Sequence, residues 1–582
     1  MEGLGVQLSY TGFCRLARRV IPVKGYRLAE ETRRDLKRAE LHLQDEEFAA
    51  GLLLSLLLPL AVLLLFCLFF SFLWEPASVL ILLLSGLLLL CLPSFLFFQL
   101  YPSMLSGEKM SRARGNAILT LLVLCFNLFH QPDLRKAMTQ ASRVGGRLSS
   151  DLKRALLSLE RGEFREAREA LLHLSKQWAE LDETVSESLL DVLRSQTSPD
   201  EASRRASLER TVSRLIGEVE SEAEEGLGKM VSPTVYFLSF GSLAVVLVIG
   251  LSPLFGMLGL GGISLPFYLL SVGCLAMVFW IFTSLALRKR PLLLAAPPTA
   301  LGPASKALLL STLSFLLFLP LAVYSPLWLV LAAGISLAVF CFLRIGSALK
   351  SRKKEERLRQ EWRKLISFLG EKMGEGRTFT EALREASTLF REVGSELRES
   401  LALMQAKSLD PYSAFFEEGK APKDPLISGL LETSLELRRR SEAAAGGALQ
   451  GASEMVERLG RAERRFRERM REAVSNLWMI SVVLLPLVCS VSVWVVGTFT
   501  RLTSTLPAEW SLLSPGLTPA ELTLFPLLVG LLSLVLSLTV ARYIAGMTAP
   551  GDRAVALYCI GRTAFLSTLV YLSSLLLFSR LA

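Results

Sequence analysis

The sequence is poor in the residues that do chemistry. Its 582 positions include three histidines and eight cysteines. His42, His130 and His173 stand far apart and read as surface or packing residues, not ligands. No C-x-x-C occurs. Seven cysteines (Cys67, Cys91, Cys125, Cys274, Cys341, Cys489 and Cys559) lie in or beside apolar runs, so neither a disulfide framework nor a zinc site is indicated. There is no G-x-S-x-G and no H-E-x-x-H. The nearest approach to a phosphate loop, Gly226-Leu227-Gly228-Lys229-Met230, lacks the first glycine and the Ser/Thr after the lysine, so it cannot cradle phosphates. The apolar runs carry no carboxylate or lysine of the kind that marks an ion path. Arg344, Arg542 and Arg562 fall near their ends, where a long side chain reaches water. No catalytic residue, cofactor or metal is therefore expected, and the chain reads as a non-enzyme.

What the sequence has in quantity is apolar length. Apolar residues make up 51% of the chain, gathered in runs. This is the composition of a polytopic membrane protein. Nine spans are expected, at about 49–74, 78–100, 234–257, 263–287, 307–325, 326–348, 476–500, 520–545 and 557–579. Asn116 to Phe129 is apolar too. At ~1.5 Å per residue it is too short to cross a ~30 Å hydrocarbon core, and it reads as the buried first helix of a soluble domain. The net charge of +10 suits the inside-positive bias better than a nucleic-acid partner, and none is expected. Glu75-Pro76-Ala77, 258–262 and 324–326 carry no Lys or Arg, and 501–519 has only Arg501. The N-terminus, 101–233, 288–306, 349–475 and the Arg542/Arg553 connection are basic. This alternation places the N-terminus in the cytoplasm and the C-terminus outside a cell membrane crossed many times. The first 48 residues lack a signal-peptide core, so an uncleaved start is expected. Their basic cluster, Arg15 to Arg38, reads as an orientation signal or a headgroup contact. Asp35 to Phe48 reads as a helix leading into the membrane.

Two charged stretches interrupt the apolar runs. In 349–475, Trp362, Leu365, Ile366, Leu369 and Met373 recur at helical spacing. Gly374 and Gly376 break that helix. Thr378 with Glu381 forms a capping box that opens the next, with Ala382, Leu383, Ala386 and Leu389 facing inward and Gly394 at its end. In 101–233, Leu134 to Met138 opens a helix in the manner of Phe379 to Leu383. About 94 residues after Ala137 comes Val231-Ser232, and about 92 after Ala382 comes Val474-Ser475, each entering a span. The two stretches read as duplicated helical bundles. Trp178, in line with Phe164, Leu171 and Leu174, is expected to be buried. The expected organisation is all-α: 1–48 an N-terminal helical segment, 49–100 a span pair, 101–233 the first cytoplasmic bundle, 234–348 four spans, 349–475 the second bundle and 476–582 three spans.

This layout resembles the platform proteins of type IV filament machines, the type II secretion system F family, and most closely their larger archaeal members. Three features carry the resemblance. Asp35-Leu36-Lys37-Arg38-Ala39 through Asp45-Glu46-Glu47-Phe48 leads into a close pair of spans. Tyr101-Pro102 precedes the first bundle. Gly376-Arg377-Thr378-Phe379-Thr380-Glu381-Ala382-Leu383 is similar to that family's signature; Pro132 to Met138 stands in its place in the first copy, without the Gly-Arg lead. The resemblance implies a non-enzymatic adaptor at a filament base, serving an archaellum, an archaeal type IV pilus or a secretion pseudopilus. It would engage a hexameric assembly ATPase and pilin or archaellin subunits, within membrane lipids. Family members are often homodimers. Two other classes compete: a transporter or exporter subunit driven by a separate ATPase, which should show polar residues along its spans, and a sensor, which should carry a substantial outside domain.

The last helices of the two copies differ in charge. Counting back from the shared Val-Ser, Glu218, Glu222 and Glu224 of the first stand where the second has Arg461, Arg465 and Arg467, with Arg464 beside them. Such helices could face each other, or the arginines could meet anionic lipid or an acidic patch on the ATPase. Solvated helix faces are the plainest alternative.

Overall fold

A computed structural model describes all residues except 1, 24, 42, 71–90, 199, 246–264, 288–303, 324, 419–420, 505–518, 550–551 and 582. Every regular element among the described residues is helical. Parts of the expected spans 49–74, 78–100, 234–257 and 263–287, and most of the 288–306 and 501–519 loops, lie outside the described residues.

Helices α1 (Glu2–Val20) and α2 (Glu30–Arg38) precede α3 (Asp45–Phe70). The single helix expected over Asp35 to Phe48 is broken. The chain turns at Glu40, whose φ is 55°, and restarts at Asp45. The turn gathers Leu36, Ala39 and Leu41 into a small core with Tyr10, Cys14, Phe48 and Phe98. Burying a leucine stabilises by ~1.5–3 kcal/mol, enough to offset one left-handed residue at ~1–2 kcal/mol.

Helix α4 (Leu92–His130) runs straight through Tyr101-Pro102, where the sequence suggests a boundary. Pro102 has no N–H to give the carbonyl four residues back, that of Phe98. The Tyr10 hydroxyl takes its place and donates to Phe98 O at 3.1 Å. The two rings stack with centroids 4.6 Å apart.

The first charged unit continues with α5 (Leu134–Ala141), α6 (Arg147–Glu160), α7 (Ala167–Ala179), α8 (Glu183–Ser195) and the long α9 (Glu201–Val245). Asp133 and Asp182 cap α5 and α8 by accepting backbone N–H bonds. Trp178 is 1% exposed, and its indole N–H donates to Asp151 Oδ2 at 3.0 Å. Two apolar helices follow, α10 (Leu265–Ala286) and α11 (Ala304–Phe318), the latter ending in a tight turn over Leu319–Val323.

The second unit begins on α12 (Trp328–Gly374) and continues through α13 (Phe379–Leu389), α14 (Glu392–Lys407), a π turn at Ser413–Glu417, α15 (Pro425–Arg438) and α16 (Glu442–Met479). Trp362, Leu365, Ile366, Leu369 and Met373 are buried. Both arms of the Thr378–Glu381 capping box are made, and Gly376 takes φ 89° after the helix end. Two expectations fail. Leu389 is 66% exposed, because α13 stops there and Phe390 turns extended. Gly394 ends nothing: it lies inside α14, and a Cβ there would stand 2.7 Å from Ser387 O. It is a close-packing glycine.

The two units share a single hydrophobic core. Leu121, Leu122 and Phe126 of α4 and Trp178 of α7 belong to the same cluster as Trp362, Leu383, Leu430 and Leu449. Ala117 to Leu128 is buried on every side, as a central helix must be. By length and composition Ser94–His130 could cross a membrane, as could Trp328–Gly346, Glu442–Arg501, Thr523–Thr548 and Arg553–Arg580. In α4 that apolar length is spent inside protein.

A second cluster holds the apolar bundle. After a π turn at Ile480–Leu484, α16 continues as α17 (Leu485–Ser504), followed by α18 (Pro519–Thr548) and α19 (Arg553–Leu581). Ser481 and Ser537 each donate a side-chain bond to the other's carbonyl, at 3.0 and 2.8 Å. Gly530 lets Tyr571 and Val330 close on α18. Small residues and hydroxyl bonds of this kind hold helices together where water is absent.

Candidate interaction faces

Helix α15 shows why the units fuse. Leu426, Ile427, Leu430, Leu431, Leu435 and Leu437 are buried, and so are Glu432, Thr433 and Ser434 between them. With no wet face, its polar groups need protein partners. Ser434 turns back to Leu430 O on its own helix at 2.8 Å, whereas Thr433 and Glu432 reach across to the first unit. Gly429 brings the backbones together: a Cβ there would lie 2.9 Å from both methyls of Val123. The Thr433 hydroxyl then sits 3.0 Å from Asn127 Oδ1, 3.1 Å from the Gln140 side-chain amide and 2.9 Å from Gly429 O. Asn127 Nδ2 donates to Val123 O at 2.9 Å, which sets the orientation of Asn127. A hydroxyl has one proton, so Thr433 donates to one of these three oxygens at a time.

Glu432 completes the seam. Its carboxylate pairs with the Arg143 guanidinium and accepts from the Tyr412 hydroxyl at 3.1 Å. Burial pushes the Glu432 carboxyl above the usual range, while Arg143 and Tyr412 pull it back. Arg439 lies over the Tyr412 ring, 5.1 Å from its centroid. Sequence reasoning missed this network. Its signals were an asparagine inside the apolar run of α4 and a Glu-Thr-Ser triplet inside the leucines of α15.

The charged face named from sequence is partly assembled. α9 packs along α16. Arg465 Nη1 lies 3.2 Å from Glu220 Oε1, so the contact crosses between the units. Arg467 turns instead to Glu356 at 3.3 Å and to Glu463, one turn back on its own helix, at 3.4 Å. Glu218 accepts from the Thr184 hydroxyl at 3.3 Å. Arg461 and Arg464 are exposed. The side chains of Glu222 and Glu224 lie outside the described residues. Arg465 and Glu220 are both solvent-exposed, so their pair stabilises by only ~0–1 kcal/mol. The arrangement positions two helical units as one body and offers arginines on its surface.

No family model, curated protein or solved structure matches this chain.

Proposed function

We propose that the chain is the membrane platform of a type IV filament machine: an archaellum, an archaeal type IV pilus or a related secretion system. In this reading it anchors the filament base in the cell membrane and couples a hexameric cytoplasmic ATPase to insertion of pilin or archaellin subunits. The two charged units are duplicated cytoplasmic bundles, the spans number nine, the N-terminus is inside and the C-terminus outside. Helix order supports the duplication. Each unit enters on a long helix, continues through shorter ones and leaves on another long helix, with a π turn in the second where the first has α7.

One observation carries the reading. The fused core is strung on α4, α9, α12 and α16, all of which reach the apolar bundle. Phe97 of α4 meets Trp280, Thr234 of α9 lies 3.0 Å from Tyr543, and Val330 and Leu477 belong to the bundle core. A body built this way turns as a unit, and a push on its surface passes down four helices at once. That is the mechanical requirement of a non-enzymatic coupler. The test is to co-purify the protein with its neighbours and measure nucleotide hydrolysis. The chain alone should hydrolyse nothing, and a co-purifying assembly ATPase should accelerate when the chain is added. Binding no such ATPase would favour a transporter or exporter subunit; hydrolysis intrinsic to the chain would end the adaptor reading.

A further inference from the structure

Helix α1 divides into three arcs. Tyr10, Cys14 and Ala17 are buried against α3 and α4. Leu16 and Val20, at helical spacing from half-buried Phe13, are 58% and 62% exposed. Arg15 and Arg19 occupy the third arc and are exposed. Beyond the helix, Tyr26 and Arg27 are exposed as well.

The position of α1 says what covers the apolar arc. A Cβ on Gly51 would lie 3.1 Å from Cys14 Sγ, so α1 crosses α3 where its apolar run begins. Arg18 pairs with Glu46 at 2.7 Å, just before that run. Beyond the crossing, α3 exposes Leu53, Leu57 and Leu58. A helix that spans a bilayer presents such leucines to lipid. On the proposed reading of α3 as the first span, on which this inference rests, the Phe13, Leu16 and Val20 arc continues a lipid-facing surface, and the arginines flank it as they do on helices that lie in the interface.

We propose that α1 is an interfacial helix. Phe13, Leu16 and Val20 enter the cytoplasmic leaflet beside α3, and Arg15, Arg19 and Arg27 contact anionic phospholipid headgroups. Each basic residue near an anionic surface contributes ~1 kcal/mol, about fivefold, which fixes the tilt of α1 against the span. The occupant is the bilayer itself, not a second protein.

The experiment uses the full chain in nanodiscs of zwitterionic lipid alone or with one-third phosphatidylglycerol. A fluorophore is placed at Leu16→Cys or Val20→Cys, with Leu389→Cys as the exposed control. It is challenged with an acyl-chain nitroxide lipid or with aqueous iodide. Positions 16 and 20 should be quenched by the lipid nitroxide and protected from iodide several-fold relative to 389. Protection should be greater in anionic discs, and Arg15→Gln with Arg19→Gln should remove that difference. Iodide access equal to that at 389 overturns the proposal. So does protection without lipid quenching, since protein then covers the face, and so does equal protection in both lipids.

Discussion

The Thr433 hydroxyl of one helical unit lies 3.0 Å from Asn127 Oδ1 of the other, and both residues are buried. A buried polar contact stabilises modestly when made and costs heavily when half of it is removed. Thr433→Val keeps the shape and strands two side-chain amides. It should lower stability by about 1–3 kcal/mol. Thr433→Ser should cost less. Thermal unfolding in detergent, followed by loss of the monodisperse species, ranks the two.

Glu432 and Arg143 make an asymmetric pair, one buried and the other half in solvent. Arg143→Met should cost about 2–3 kcal/mol, less than a fully buried pair because Arg143 is more than half exposed. Glu432→Gln should cost about 1 kcal/mol or less, since an amide still accepts from Tyr412. The pH dependence follows from the raised carboxyl. The folded protein holds that proton where the unfolded chain has lost it. Stability therefore declines as pH rises from about 4 through the folded value. Arg143→Met should steepen that decline and Glu432→Gln should abolish it. A flat profile in Arg143→Met contradicts the assignment.

Gly429 sets the distance between the units. Val123 is β-branched and cannot swing aside. Gly429→Ala should therefore destabilise by about 1–3 kcal/mol, although alanine is the better helix former. Gly429→Ala combined with Val123→Ala should recover part of the loss. Recovery of nothing would mean that the contact is not the cause.

Charge reversal now has a defined partner. Arg465→Glu places two carboxylates together, and Glu220→Arg restores an opposite pair. The single change should lower stability by no more than about 1 kcal/mol, and the double change should return it. On the proposed function, filament assembly that falls with Arg465→Glu and is not rescued by the double change would assign the arginine to lipid or to the proposed ATPase.

The proline in α4 predicts a conditional effect. Tyr10→Phe should cost about 1 kcal/mol, because Phe98 O loses the hydroxyl that donates to it. In a Pro102→Ala background the helix supplies its own N–H, and the cost should shrink. Equal costs in both backgrounds would separate Tyr10 from the proline.

Much of this protein was legible without coordinates, because local rules govern it. The Thr378–Glu381 box, the Gly374 to Gly376 stop, the inward face from Trp362 to Met373 and the burial of Trp178 follow from periodicity and capping, which need only neighbours in sequence. The shortness of the Asn116 to Phe129 run was enough to read it as core. The errors lie where a local signal met a distant contact. Tyr101-Pro102 looks like the boundary between a span and the first bundle, but one helix runs through it, with Tyr10 bonding Phe98 O from 88 residues away. Gly394 looks like a stop, but it exists for the backbone of Ser387. Leu389 looks like core, but its helix ends before neighbours arrive. The reversed charges of α9 and α16 left facing helices, lipid contact and solvated faces all open, and the alignment set Arg465 against Glu222; the crossing geometry gives it Glu220 instead. Above all, two charged stretches read as two bundles. Whether their apolar faces close separately or on each other is a question of shape between surfaces far apart in the chain. Tertiary structure alone decided for one core, with Gly429 against Val123 and Thr433 against Asn127.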